Sequence, residues 1–232
     1  MYIEVKKLNK NYGNADNVVR VLQDMSFCIE KGSICTILGP SGSGKSTVLN
    51  ILGGLENADS GEVKIGDIDI LKLNSKELSL FRRKNFGFVF QFYNLIPNLT
   101  VRENVEVCEY LSEEPLSVDE LLGVLGLAEH QKKFPRQISG GQQQRTALAR
   151  ALSKNPSVLL CDEPTGALDY KASKELLELL EQINKRYNTT LIIVTHNMAI
   201  ADMSDQVLTI RDGKIAKNIK NDNRKSAAEI EW

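Results

Sequence analysis

Disulfide and zinc frameworks have little to build on in this chain. Its 232 residues include four cysteines, Cys28, Cys35, Cys108 and Cys161, and two histidines. The cysteines form no C-x-x-C pair and have no histidine cluster near them, which excludes the usual metal-binding patterns. Cys28, Cys35 and Cys161 sit inside apolar stretches and are expected as buried thiols, since cysteine there acts as a small hydrophobe. Cys108 stands apart, beside Glu106 and Glu109. Net charge is equally scarce. A formal charge of −1 creates no strong field to attract nucleic acid or an acidic membrane, so no nucleic-acid partner is expected. No apolar run approaches the ~20 residues of a spanning helix. The start, MYIEVKKLNKNYG, has no signal-peptide core, so a cytoplasmic protein is expected. Repeats and low-complexity segments are missing too.

What is there suits an ordinary globular chain. Hydrophobic residues make up 42% and charged residues 25%, enough apolar side chain to build a core without staples. At ~100–200 residues per domain this is one large domain or two small ones.

Strand-like and helix-like stretches alternate, which predicts an α/β layered fold. The first part is β-rich. Residues 2–8 alternate weakly, 18–30 are strand-like, and SICTILG at 33–39 is a β-branched run suited to a strand buried on both faces. EVKI between Gly61 and Gly66 belongs to an antiparallel hairpin, 76–84 to a short helix, and 86–90 to a strand ending at Gln91. From about 92 to 156 the pattern is helical, with amphipathic stretches at 118–127 and 142–154. Strand 157–163, helix 172–186 and strand 189–196 follow. Asp212-Gly213 between two apolar runs signals a hairpin. The simplest account is a single domain over 1–232. Residues 1–91 and 157–220 form an α/β core with an antiparallel β subdomain. Residues of about 92–156 form an inserted helical subdomain, and 221–232 a polar tail that frays.

GPSGSGKS at 39–46 matches G-x-x-x-x-G-K-[ST] between a strand and a helix. Gly39, Gly42 and Gly44 let the backbone curl, so that N–H groups of the loop, including Ser41 and Ser43, face phosphate oxygens. The following helix, with Lys45, Ser46 and Thr47 at its start, adds its positive dipole end. Lys45 would reach the β- and γ-phosphates, and the Ser46 hydroxyl would sit on Mg²⁺. The loop by itself leaves kinase, GTPase and ATPase open.

VLLCDE, 158–163, delivers two carboxylates to the carboxyl edge of a sheet, where open α/β folds bind ligands. Asp162 is placed to hold Mg²⁺. Glu163, offset by one residue, points elsewhere and is the candidate to polarise an attacking water. Read without the phosphate loop, the pair is equally a solvated strand end. His196 ends a second buried strand, and two readings stand: a structural or surface residue, or a contact to a γ-phosphate. His130, in LAEHQKK, is expected on the surface. In ISGGQQQRTALARAL, 138–152, Ser139 is a natural N-cap and Gly140 and Gly141 leave backbone N–H groups open. An ordinary capped helix is the favoured reading from physics alone; a second anion site is the other.

At this point the sequence resembles the ATP-binding subunits of ABC transporters over essentially the whole chain. Tyr12, GPSGSGKST, Gln91, ISGGQ, LLCDEP, GALD at 166–169 and His196 occur in that family's order. The resemblance implies that Tyr12 stacks on adenine and that Gln91 senses γ-phosphate and Mg²⁺. It implies that Glu163 is the catalytic base, that His196 contacts the γ-phosphate and that Asp169 lies in a dimer-contacting loop. It also gives the second anion site a use. Two copies pair head to tail, and Ser139, Gly140, Gly141 and Gln142 of one close over ATP on the other. Ile138 replaces the more usual Leu. FVFQFYNLIPNLTVRENV, 88–105, resembles the macrolide-export and lipoprotein-release branch, although the acidic stretch 107–121 is shorter than usual there.

The implied activity is ATP hydrolysis that drives an integral membrane permease, expected as a separate chain, in export or mechanotransmission. The protein would then sit peripherally on the cytoplasmic face of the membrane. Rivals are a soluble ABC ATPase of DNA repair or translation, a phosphate-loop kinase, and a cell-division regulator of the same branch. The segment from Phe92 to about Glu114 is expected on the permease-docking face, with packing into the helical subdomain as the alternative.

Overall fold

A computed structural model describes residues 1–13 and 17–231. Residue Trp232, the end of the expected tail, lies outside the described residues. Two strands with intermittently buried apolar positions, β1 (Ile3–Tyr12) and β2 (Val19–Ile29), pair antiparallel. Next comes β3 (Ile34–Leu38), every residue of which is buried, as a β-branched run between two packed faces should be. The chain then turns into α1 (Lys45–Leu52), whose Val48, Leu49, Ile51 and Leu52 are buried. β4 (Ser60–Ile65) pairs antiparallel with β1 and with the short β5 (Ile68–Asp69). α2 (Ser75–Asn85) starts from an Asn74–Glu77 capping box, which satisfies two otherwise orphan backbone donors. It runs straight into β6 (Phe86–Phe90).

The helical segment holds α3 (Val101–Glu106), α4 (Val118–Val124) and α5 (Gly140–Leu152). Thr100 and Ser117 cap the first two, and Ser139 caps the third. The α/β alternation then resumes with β7 (Val158–Asp162), α6 (Tyr170–Tyr187) and β8 (Thr190–Thr195). It closes with the hairpin β9 (Gln206–Arg211) and β10 (Lys214–Lys220). Asp212 and Gly213 take φ of 50° and 72° in its turn, the paired positive φ of a type I′ hairpin.

The strands form two sheets. One is antiparallel in the order β2-β1-β4-β5, and the other runs β10-β9-β3-β8-β7-β6. In the larger sheet β9, β3, β8, β7 and β6 pair in parallel and only the β9–β10 edge is antiparallel. Strand alternation divides the core. Cys35, Ile37, Leu160 and Val194 join α1 and the antiparallel sheet in one apolar cluster. Ile34, Leu159, Cys161 and Ile193 join α3, α4, α5 and α6 in the other. The helical segment therefore shares a core with the sheet. Among the described residues no helix is long and apolar enough to cross a membrane.

Two expectations are corrected. The tail after Asn221 does not fray: Ala227 and Ile230 are buried in the helix-side core, and Ala227 N donates to the Glu181 carboxylate at 3.2 Å. Two apolar side chains among polar neighbours suffice to dock it. Cys28 is half-buried rather than buried, because it occupies a position of β2 between the core residues Phe27 and Ile29. Cys35 and Cys161 are buried as expected, and burial pushes both thiols up from their ordinary pKa.

Candidate functional site

Parallel strands β3, β7 and β8 are neighbours in the sheet, so their carboxyl ends open at one edge. Three motifs far apart in sequence meet there. The loop 39–44 leads from β3 into α1. Gly42 and Gly44 have φ of 77° and 100°, left-handed values that favour glycine. Gly44 is additionally closed to any side chain, because a Cβ there would lie 2.7 Å from Leu22 Cδ2. As the N-cap of α1, Gly44 contributes no side-chain hydrogen bond. The first N–H groups of α1 are thus left to an external acceptor. Lys45 is buried, and its Nζ donates to the carbonyls of Gly39 and Pro40 at 2.8 and 2.9 Å. Ser43 Oγ is buried with no hydrogen-bond partner among the described residues.

Ser46 Oγ donates to Asp162 Oδ1 at 3.1 Å, joining the first turn of α1 to the end of β7. Burial raises the Asp162 pKa above its ordinary value, and the neighbouring Glu163 adds to this against the Ser46 hydrogen bond and the Lys45 charge. Glu163 turns the other way. Its backbone has φ of 47°, in the left-handed region uncommon for a non-glycine residue. Its N–H donates to Val194 O at 2.9 Å. One carboxylate oxygen accepts from Thr195 Oγ1 at 3.1 Å, and the other faces His196 Nδ1 at 2.9 Å. Adjacent residues on one strand thus serve opposite sides: Asp162 the phosphate-loop side, Glu163 the β8 side.

Gln91 lies against the loop after Glu163, its Nε2 3.0 Å from the Cβ position of Gly166. Asp169 accepts from Ala172 N at 2.8 Å and caps α6. Tyr12 is 42% exposed. Its hydroxyl donates to Glu56 Oε1, and Lys10 Nζ stands 5.2 Å from the ring centroid. Lys10 also pairs with Glu56 at 3.3 Å. Burial, followed by Glu56, raises the Tyr12 pKa, while Thr47 opposes them.

Ser139, Gly140, Gly141 and Gln142 form a second group at the start of α5. Ser139 N donates to Gln142 Oε1 at 2.9 Å, and Gln142 N to Ser139 Oγ at 3.3 Å. Tyr93 Oη lies 2.9 Å from the Cβ position of Gly140, and Ala172 Cβ 3.1 Å from that of Gly141. Both glycines thus lie close against side chains of neighbouring elements. No hydrogen bond among the described residues joins this group to Lys45, Ser46, Asp162 or Glu163. One further correction falls here. His130 is half-buried, and its Nε2 lies 2.8 Å from Gln142 Nε2.

Three supporting residues escaped the sequence reading. Gln144, fully buried on α5, donates to Pro164 O at 2.8 Å. Arg150 donates to the carbonyls of Asn94 and Tyr93 at 2.6 and 2.9 Å. Glu56 holds Tyr12. A polar residue on the apolar face of a helix was the available signal for Gln144; for Glu56 there was none.

Comparison with known proteins follows this geometry. A family profile described as ABC transporter matches residues 22–166, and an AAA-domain profile matches 132–202. Mycoplasma genitalium MG065, whose name describes an ABC transporter ATP-binding protein, is 45% identical over 99% of this chain and 50% of its own length. The macrolide export ATP-binding/permease protein MacB of Neisseria gonorrhoeae is 41% identical over 98% of this chain and 36% of its own. The chain thus spans about half or less of these relatives. The dimeric ATP-binding cassette MJ0796, solved in a post-hydrolysis state with ADP and Pi, superposes with a TM-score of 0.86. It is 37% identical, over 94% of this chain and 98% of that one.

Proposed function

We propose that this chain, which belongs to the ABC transporter ATP-binding family, drives a membrane permease by closing head to tail with a second copy over two ATP molecules. It is an ATPase of that family. The observation that carries the reading is the split at the end of β7, with Asp162 bonded to Ser46 and Glu163 turned to His196.

In this reading Lys45 exchanges the carbonyls of Gly39 and Pro40 for the β- and γ-phosphates. Loop and α1 N–H groups, including those of Ser41, Gly42, Ser43 and Gly44, take the remaining phosphate oxygens. The donors beside them suit a small hard cation, being a hydroxyl and a carboxylate that face each other. Among the described residues no group of three His, Cys, Asp or Glu side chains forms a closed metal cage. Ser46, Asp162 and Gln91 would hold Mg²⁺, which supplies charge neutralisation at the β- and γ-phosphate oxygens. Glu163, its carboxylate oriented by Thr195, polarises the attacking water, and His196 contacts the γ-phosphate. Tyr12 carries the adenine. Ser139 to Gln142 of the second copy close over the same nucleotide, beside its Asp169.

The permease side of the reading rests on exposed apolar surface after Gln91. Phe92 is 76% exposed and Tyr110 is 83% exposed. Val101 and Val105, in contrast, are buried in the helix-side core. The expected docking stretch thus separates into a packed helix and exposed rims. A groove of ≈ 520 Å³, lined by Leu80, Arg83, Leu111 and Lys154 among others, lies beside Tyr110, whose carbonyl accepts from Arg83 at 2.9 Å. We place the protein peripherally on the cytoplasmic face of the membrane, held there by this contact. Export is the direction we infer, from the MacB-type relatives. Tyr110→Glu should abolish co-purification with the permease and leave ATP binding unchanged. Retained co-purification would remove this face from the proposal.

The central test uses Glu163→Gln, which keeps the shape of the side chain and loses the base. It should bind ATP and shift from monomer to dimer on a sizing column with light scattering, with ATP and not with ADP. A variant that binds ATP and stays monomeric at high concentration, with its permease present, would count against the paired sites.

A further inference from the structure

We propose that His130 is a positioning residue for the Ser139–Gln142 segment, an inference that rests on the reading that this segment closes over a nucleotide held by a second copy. His130 ends a single 3-10 turn, Ala128–His130, and its N–H donates to Leu127 O at 2.9 Å. The ring therefore reaches the signature segment from a different part of the helical layer.

The hydrogen-bond chemistry fixes its tautomer. Ser139 N is a donor, and it points at the Gln142 carboxamide at 2.9 Å, so the carboxamide oxygen must face Ser139. The NH₂ end then faces His130 Nε2 at 2.8 Å. A carboxamide NH₂ only donates. His130 Nε2 is therefore the acceptor, and the ring proton sits on Nδ1. Nδ1 is buried without a hydrogen-bond partner among the described residues.

The consequence lies at Ser139. Gln142 is held at both ends of its carboxamide, by the Ser139 backbone and by His130. Gln142 N donates to Ser139 Oγ at 3.3 Å, which uses an acceptor site of the hydroxyl and leaves its hydrogen free to donate outward. Ser139 is exposed, so this hydrogen is available to an anion presented from outside the chain. Without His130 the Gln142 side chain is tethered by one bond and must be ordered again on every closure. His130 thus stores, in the isolated chain, the arrangement that the closed pair needs.

The test is the ATP-driven dimerisation of Glu163→Gln, followed by sedimentation across a protein titration. Ordering the freed Gln142 side chain again costs roughly three- to tenfold per site. Two equivalent sites square the effect. His130→Leu should therefore raise the half-dimerisation concentration by roughly ten- to a hundredfold, with monomer affinity for ATP unchanged and the melting temperature without nucleotide slightly lower. His130→Gln, whose carbonyl oxygen can accept from Gln142, should bring the midpoint back to within about threefold of the parent. Combined with Gln142→Met, His130→Leu should have no further effect. Dimerisation of His130→Leu at the parental midpoint would overturn the proposal, as would a folded His130→Gln chain no better than the Leu variant. A Glu163→Gln parent that binds ATP and never dimerises would instead sink the paired-site reading itself. If His130→Leu fails to fold, the His130→Gln and Gln142→Met chains decide.

Discussion

Helices α1 and α5 both begin on a glycine-rich polar turn, and the two turns are finished in opposite ways. α1 starts from Gly44 in a left-handed conformation with no side-chain cap. α5 starts from Ser139 in an extended conformation with a complete capping box. An uncapped helix start leaves donors that need an acceptor, and a capped one has spent most of its own. Lys45 sharpens the contrast, since its ammonium is parked on two backbone carbonyls that a phosphate can replace. The first turn is built to capture an anion from solution. The second offers one exposed hydroxyl and suits an anion already held elsewhere. Under the proposed function this is why, at each of the two nucleotides, one copy binds the ATP and the other closes on it.

The largest blow to that contrast is Lys45→Ala. It removes the full charge at the α1 turn, and we expect loss of most ATP affinity and of all turnover. Unaltered ATPase activity in the purified variant would refute the assignment. Glu163→Gln comes next. Removal of a general base typically costs ~10²–10⁴ in rate, so single-turnover hydrolysis should fall by that range while ATP binding survives.

Tyr12→Ala should act more mildly. Base–aromatic stacking is worth ~1–3 kcal/mol, which predicts a raised KM for ATP and a nearly unchanged kcat. A fall in kcat at saturating ATP would contradict a purely adenine-binding role. Ser139→Ala should be the smallest in the isolated chain. An N-cap costs about 1 kcal/mol, visible as a slightly lower melting temperature. ATP affinity of the monomer should not move, whereas ATP-driven dimerisation should weaken. A matching loss of monomer affinity would mean that α5 shares the first site and would erase the distinction between the two turns.

The sequence makes the α1 turn legible because all of its parts are contiguous. Glycines at 39, 42 and 44, the lysine and the serine lie within eight residues, between a strand and a helix. Asp162 and Glu163 are legible for the same reason, at the end of an unbroken apolar run. The supports are not. Glu56 reaches Tyr12 from 44 residues away, Arg150 reaches Tyr93 from 57, and Gln144 reaches Pro164 from 20. No local pattern encodes such pairs. His130 was misplaced on the surface because its neighbours in sequence are polar, while its partner Gln142 is brought to it by the turn before α5. The tail was misread likewise: two apolar residues in a polar stretch carry no period, and only the groove beside α6 shows where Ala227 and Ile230 go.

Sequence alone thus determined what depends on neighbours along the chain: the order of strands and helices, the phosphate-loop turn, the cap at Ser139 and the type I′ turn at Asp212-Gly213. These follow from short-range sterics and hydrogen bonding, which act within a few residues. Tertiary structure decided what depends on sheet order. Placing β3 between β8 and β9, with β7 beyond β8, sets Ser46 against Asp162 and His196 against Glu163. Their separations of 116 and 33 residues are closed by strand pairing and burial, which act through space.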